Sequence, residues 1–311
     1  MAVAAVVSGC TLVTSLEGLQ GDGPRPLDAL TDVPTWDDAT TVDGAGEADA
    51  PIDAGPCDRS KPFGAPVAVD GLALDGRGEE AVRFTADLHT AWVLVRVPDL
   101  NGVTASIQIF DRASESAPFT TGVDVGIPSA SLGTTGSSGA FGSSADTLRL
   151  VYGDAQGRLI DCRRSTSSVS FAGTCSVIGD GATPYLAASG TRIYAPAAGP
   201  QGDWVPSTLD WVTPKWTPPL KIAELDLYGA PTAFHHPVLT TNEKTIVFEA
   251  DESIYVAHWA QVGFGPPEKL TELTVKNATT HPAWISDDEC TIALVSNRKA
   301  SMDVFLAKRP K

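Results

Sequence analysis

From residue 63 onward, apolar and polar side chains alternate with a period of two in short runs separated by turn residues. Ala91-Trp92-Val93-Leu94-Val95, Ser106-Ile107-Gln108-Ile109-Phe110, Leu148-Arg149-Leu150-Val151-Tyr152 and Thr245-Ile246-Val247-Phe248 are of strand length and rich in β-branched or aromatic residues. Ser253-Ile254-Tyr255-Val256-Ala257, Thr291-Ile292-Ala293-Leu294-Val295 and Asp303-Val304-Phe305-Leu306-Ala307 continue the series. No window sustains apolar residues at i, i+3, i+4 and i+7 beyond one turn, so the pattern predicts an all-β body.

The runs recur. His236-Pro237-Val238-Leu239-Thr240-Thr241-Asn242-Glu243-Lys244-Thr245-Ile246-Val247-Phe248 aligns with the segment that begins His281-Pro282-Ala283-Trp284-Ile285-Ser286-Asp287-Asp288, and Thr183-Pro184 to Tyr194 is a third copy. Val82 to Val93 and Gly139 to Tyr152 are weaker copies. Each reads as a short strand, a polar turn and a more apolar strand. The last two copies add a third strand, and Val262 to Leu270 supplies a fourth. The phrase from Pro282 to Arg298, followed by Met302 to Arg309, resembles the TolB-like, WD-repeat-like β-propeller repeat: a proline opening the inner strand, a Ser-Pro-Asp-Gly-like turn, an apolar strand ending Ser-x-Arg, and an Asp-Ile-Tyr-like strand.

That resemblance implies a β-propeller of four-stranded blades. Anchors near Val82, Gly139, Pro184, Pro237 and Pro282 give five blades, or six if the longest gap holds a degenerate one. The chain ends too soon after Pro282 for a fourth strand. Pro62-Phe63-Gly64-Ala65-Pro66-Val67-Ala68-Val69 resembles Gly263 to Leu270, so an N-terminal strand is expected to complete the last blade.

Charge separates this body, residues 57–311, from what precedes it. The chain carries a formal charge of −16, and the stretch from Glu17 to Asp58 contributes −10 of it, with eleven acidic residues against Arg25. Five prolines interrupt the same stretch, and it lacks strand or helix periodicity. Residues 10–56 therefore read as an acidic, solvated tether. The acidic balance excludes nucleic acid as the main partner, because phosphate is neutralised by clustered Lys and Arg. Met1 to Val7 is apolar, and Val7-Ser8-Gly9-Cys10 resembles a bacterial lipoprotein lipobox. The resemblance implies that residues 1–9 are a signal remnant, that Cys10 carries the lipid, and that Thr11 directs the protein to the outer membrane.

Four cysteines remain, an even number that suits two disulfides in an exported chain. Cys162 and Cys175 flank a segment long enough for two antiparallel strands and a turn, so they are expected to pair. Cys57 is then left for Cys290, which the propeller closure would also bring near. No C-x-x-C spacing supports a zinc or redox role.

Candidate chemistry is sparse. His235-His236 and His281 precede aligned inner strands, so His236 and His281 are expected at an axial channel rim with Trp284 nearby, as a ligand-contacting set. Two aligned histidines without an H-E-x-x-H motif give no expectation of a metal. Asp87, Asp146, Asp251, Asp287 and Asp288 fall in turns, where Asp caps its own backbone. Gly133 to Ser144 lacks the Lys-Ser or Lys-Thr end of a P-loop, and no G-x-S-x-G elbow occurs. Trp204, Trp211 and Trp216 among prolines read as a packing set, with a carbohydrate platform as the alternative. The expectation is a monomeric, non-enzymatic envelope lipoprotein without cofactor, binding a protein or small ligand. The alternative is a glycan-binding or glycan-hydrolysing five-bladed propeller.

Overall fold

A computed structural model describes residues 57–72, 76–99, 102–127, 132, 141–198, 204–225, 234–299 and 301–311. The expected signal remnant, the tether, Cys10 and most of the Gly133 to Ser144 loop lie outside the described residues.

The short strand β1 (Val67–Ala68) comes first. Blade one follows as β2 (Gly78–Phe84), β3 (Thr90–Asp99), β4 (Gly102–Asp111) and β5 (Val123–Asp124). Blade two is β6 (Phe141–Ser143), β7 (Arg149–Gly153), β8 (Arg158–Arg163) and β9 (Cys175–Asp180). Blade three is β10 (Tyr185–Leu186), β11 (Arg192–Ala198), β12 (Trp204–Val212) and β13 (Lys215–Trp216), with β14 (Leu220–Lys221) also pairing β12. Blade four is β15 (His235–Leu239), β16 (Thr245–Ala250), β17 (Ser253–His258) and β18 (Glu268–Lys269). The last is β19 (Thr280–Ile285), β20 (Thr291–Ser296) and β21 (Asp303–Lys308), completed by β1.

All pairings are antiparallel, and the inner strands touch in the cyclic order β2, β6, β10, β15, β19 and back to β2. This is a closed five-bladed β-propeller. The long gap between the first two anchors holds connecting chain and no sixth blade among the described residues.

The second strand of each blade explains the packing. Ile292 and Leu294 of β20 face the core shared with blade four, whereas Ala293 and Val295 face the core shared with blade one. Likewise Val93 and Val95 of β3 point to one seam, and Trp92 and Leu94 to the other. The period-two pattern therefore divides the side chains between two buried seams, and β7 is buried at all five positions. A polar residue on either side of such a strand would be desolvated.

One turn chemistry recurs between the first and second strands. Thr85, Ser144, Thr240 and Ser286 each accept the backbone N–H five residues on, at 2.9–3.1 Å. Each hydroxyl also donates to the side chain two residues on: Asp87, Asp146, Asn242 and Asp288. Those side chains accept the N–H groups of His89, Leu148, Lys244 and Cys290. The hydroxyl bonds hold the Asp87 and Asp146 carboxyls below the usual carboxylate range. Blade three has Ala187 in the hydroxyl position and Gly190 at the left-handed position, φ +69°. The equivalent Leu88, Thr147, Glu243 and Glu289 are also left-handed, and their side chains find contacts that help to hold them there.

Closure follows the expected route. Val67 pairs with Leu306 and Ala68 with Phe305, and Gly64 and Val69 extend the zip by donating to the carbonyls of Lys308 and Val304. Cys57 is bonded to Cys290 across 233 residues, and Cys162 to Cys175 across 13.

Two stability measurements test this frame. A Cβ at Gly142 would sit 2.1 Å from the backbone nitrogen of Leu186 on the neighbouring inner strand. Gly142→Ala should therefore cost about 2–3 kcal/mol in urea unfolding, and a change below about 0.5 kcal/mol would show that these two strands are not so close. From loop length, losing the Cys57–Cys290 bond by double serine substitution should cost about 5 kcal/mol, against about 3 kcal/mol for Cys162–Cys175. The reverse ranking would contradict the closure.

Candidate functional site

The axis is built around one charged side chain. Arg83 of β2 is buried; its guanidinium donates to the carbonyls of Val82, at 2.9 Å, and of Ala283 on β19. The same group lies 5.8 Å from the ring centre of Phe141 on β6 and 5.3 Å from that of Tyr185 on β10. A side chain that reaches inner strands on both sides of its own blade, as far as the third blade, must lie at the centre of the ring. Burial pulls its pKa down to about 10, because a charge without a carboxylate is poorly solvated there. Tyr185 donates its hydroxyl to the carbonyl of Leu239 at 2.8 Å, and burial pushes that phenol up to about 12.

Beside Arg83 lies the histidine cluster. His235 pairs with Glu249 across blade four, then the register slips before Val238 pairs with Val247. His236 sits in this bulge with φ +49°, a strained conformation for a non-glycine residue. Its backbone N–H is held by the hydroxyl of Thr183 from blade three, at 3.1 Å. The slip turns the His236 ring onto that of His281 on β19: the rings stack with centres 4.0 Å apart and planes inclined by 24°. The His281 Nδ1 bonds to the carboxylate of Glu249. His236 is 7% exposed, and its imidazole pKa falls well below the ordinary value, mainly through burial and further through His281, His235 and Arg83. Burial also lowers His235, whose Nδ1 is enclosed without a hydrogen-bond partner.

The structure thus unites His236 and His281 and places them inside the inner strands rather than ahead of them. Trp284 packs edge-on against Phe84, 5.8 Å away, at the seam between the last and first blades. Glu249 and Arg83 were missed. The signal for Glu249 was a single charged side chain within the apolar strand Thr245-Ile246-Val247-Phe248-Glu249-Ala250, and for Arg83 a charge between the apolar residues Val82 and Phe84 of a strand that also holds Glu79 and Glu80.

The other expected carboxylates do not gather. Asp87, Asp146 and Asp288 cap turns as described, and Asp287 accepts the backbone and hydroxyl of Thr241 from blade four. Near blades two and three, a cavity of about 450 Å³ is lined by Asp161, Arg163, Trp211, Lys215 and Trp216 among others. Its aromatic wall is occupied: the Arg149 guanidinium lies 4.5 Å from the Trp211 ring centre and 4.3 Å from that of Trp216, and Arg163 lies 3.9 Å from that of Trp211. Asp161 binds Arg149 through both oxygens and accepts the Trp216 indole N–H at 3.1 Å. Trp211 and Trp216 thus belong to a packing set; the side chain of Trp204 lies outside the described residues.

The fold is a closed, five-bladed β-propeller. Among solved structures, the chain is similar to TolB from Acinetobacter baumannii, with TM-score 0.43 and 10% identity over 80% of this chain and 54% of that one. It is also similar to a putative TolB from Agrobacterium tumefaciens, with TM-score 0.43 and 13% identity over 81% and 91%. A third similar structure is Kluyveromyces lactis Hsv2, with TM-score 0.37 and 13% identity over 72% and 65%. The chain spans about half the length of the Acinetobacter protein. No family model and no curated protein sequence matches it.

The depressed imidazole gives a pH prediction. Below pH 6.5 the unfolded chain protonates His236, whereas the folded protein resists doing so, with Arg83, His235 and His281 all opposing a further charge. Stability should therefore fall as pH drops from about 6.5 towards 5, with a slope of up to about 1.4 kcal/mol per pH unit from this residue. His236→Gln should flatten the slope in that window, as read by urea unfolding at several pH values; an unchanged slope would show that His236 is not the group responsible.

Proposed function

We propose that the protein is a bacterial envelope lipoprotein whose propeller is a non-catalytic binding scaffold, held away from the membrane by an acidic tether and anchored through acylated Cys10. The observation that carries this reading is the closed ring with its filled axis. Arg83 meets the rings of Phe141 and Tyr185 at the axis, where side chains of three blades pack against one another. Closure by β1 and the Cys57–Cys290 bond makes a rigid body suited to presenting surface to a protein or small ligand. Two disulfides suit an oxidising compartment outside the cytoplasm. The outer membrane is the site favoured by Thr11 in the lipobox-like segment.

The glycan alternative draws on Trp211 and Trp216, but the guanidinium groups against their rings leave little aromatic surface for a sugar.

Mass spectrometry of the protein purified from its native membrane tests the anchor. The expected species begins at Cys10 and carries acyl chains. A chain with residues 1–9 retained and an unmodified Cys10 would overturn the reading.

A further inference from the structure

We infer that His236, Glu249 and His281 form a binding site for one divalent first-row transition-metal ion of the zinc type. One donor atom from each residue lies within 4.8 Å of the other two, and two imidazoles with one carboxylate are a ligand set that such ions prefer. The donors come from three strands and two blades: His236 on β15, Glu249 on β16 and His281 on β19. Their meeting therefore depends on the closed ring and has no counterpart in a local sequence motif.

Backbone strain provides a second observation. His236 adopts φ +49° inside a bulge, and the Thr183 hydroxyl holds its backbone N–H there. A bulge of this kind re-aims a side chain, and strain in a bulky residue is retained where the surroundings enforce it. The His236 ring is buried and stacked on His281. The neighbouring His235 Nδ1 is buried without a hydrogen-bond partner.

In the metal-free arrangement the Glu249 carboxylate bonds to the His281 Nδ1, and the His236 ring stacks on His281. An ion would replace the shared hydrogen of the first contact and draw the His236 ring about its broad second torsion until a nitrogen faces the metal. Arg83 is the charge that opposes an ion here. Its Nη1 donates to the carbonyls of Val82 and Ala283, its Nε is buried without a partner, and Glu249 supplies the compensating negative charge. Three protein ligands would leave one position for water or a ligand atom.

This inference stands apart from the lipid anchor, so either can fail alone. The full-length, disulfide-bonded protein would be stripped with a chelator and titrated with Zn²⁺ by calorimetry and with Co²⁺ by visible absorption. The expected result is one saturable site per chain, with ligand-field bands in the Co²⁺ form and a higher melting temperature with Zn²⁺, since the ion would join blades four and five. Glu249→Gln and His281→Gln should each weaken binding by more than the 10–100-fold (roughly) that loss of a supporting hydrogen bond costs a metal site. His89→Gln, in a distant exposed turn, should leave it unchanged. Absence of saturable uptake by the native chain would overturn the inference, as would full affinity in folded Glu249→Gln and His281→Gln proteins. The native-chain result does not depend on how the variants fold.

Discussion

The structure depends on the need of every blade to hide both of its faces. In β3, β7, β11 and β20, successive apolar side chains enter different cores, one on each side of the sheet. An isolated blade would leave both sets in water, at about 25 cal/mol for each square ångström. A blade with one neighbour would still expose a face, so no linear array satisfies the pattern and the row must close. Closure then requires the last blade to gain a fourth strand from the chain's other end, and the β1 zip and the Cys57–Cys290 bond are the two means by which it does so.

The same closure creates the axial environment. Five inner strands converge, and the space between them is filled by Arg83 and the rings around it. A guanidinium in such a place has backbone carbonyls and aromatic faces as partners in place of a carboxylate, which keeps its desolvation incompletely offset. The nearby His236 imidazole feels that charge, and its low basicity follows mainly from its burial beside the axis. Fold and candidate site are thus one electrostatic unit.

Much of the fold was legible in the chain because propellers repeat. The Ser- or Thr-initiated turns recur with the same spacing, and their hydroxyl and Asx side chains carry out the same hydrogen bonding in four blades. The Cys57–Cys290 pair and the closing strand were readable because closure places the ends of the chain in one blade, and the Cys162–Cys175 pair because its intervening segment suits two strands and a turn. The site was less legible. His236 and His281 stood out by their aligned positions, but Trp284, three residues beyond His281, points into another seam. Glu249 enters only through the cross-strand register with His235, and Arg83 only through the curvature that brings inner strands from several blades to one axis. Neither relation is local, so no spacing along the chain records it.

The position of Cys57 also has a mechanical meaning. Strand β1 is two residues long, and a pull on the chain before it would peel β1 from β21 one hydrogen bond at a time if those bonds were all that held it. The disulfide lies upstream of β1 and ends in the turn between β19 and β20. Tension arriving at residue 57 therefore passes through a covalent bond directly into the middle of the last blade, and the closing strand is shielded from it. The ring is sealed by a weak zip that is spared the load, which lets closure remain thermodynamically modest while the molecule stays mechanically shut.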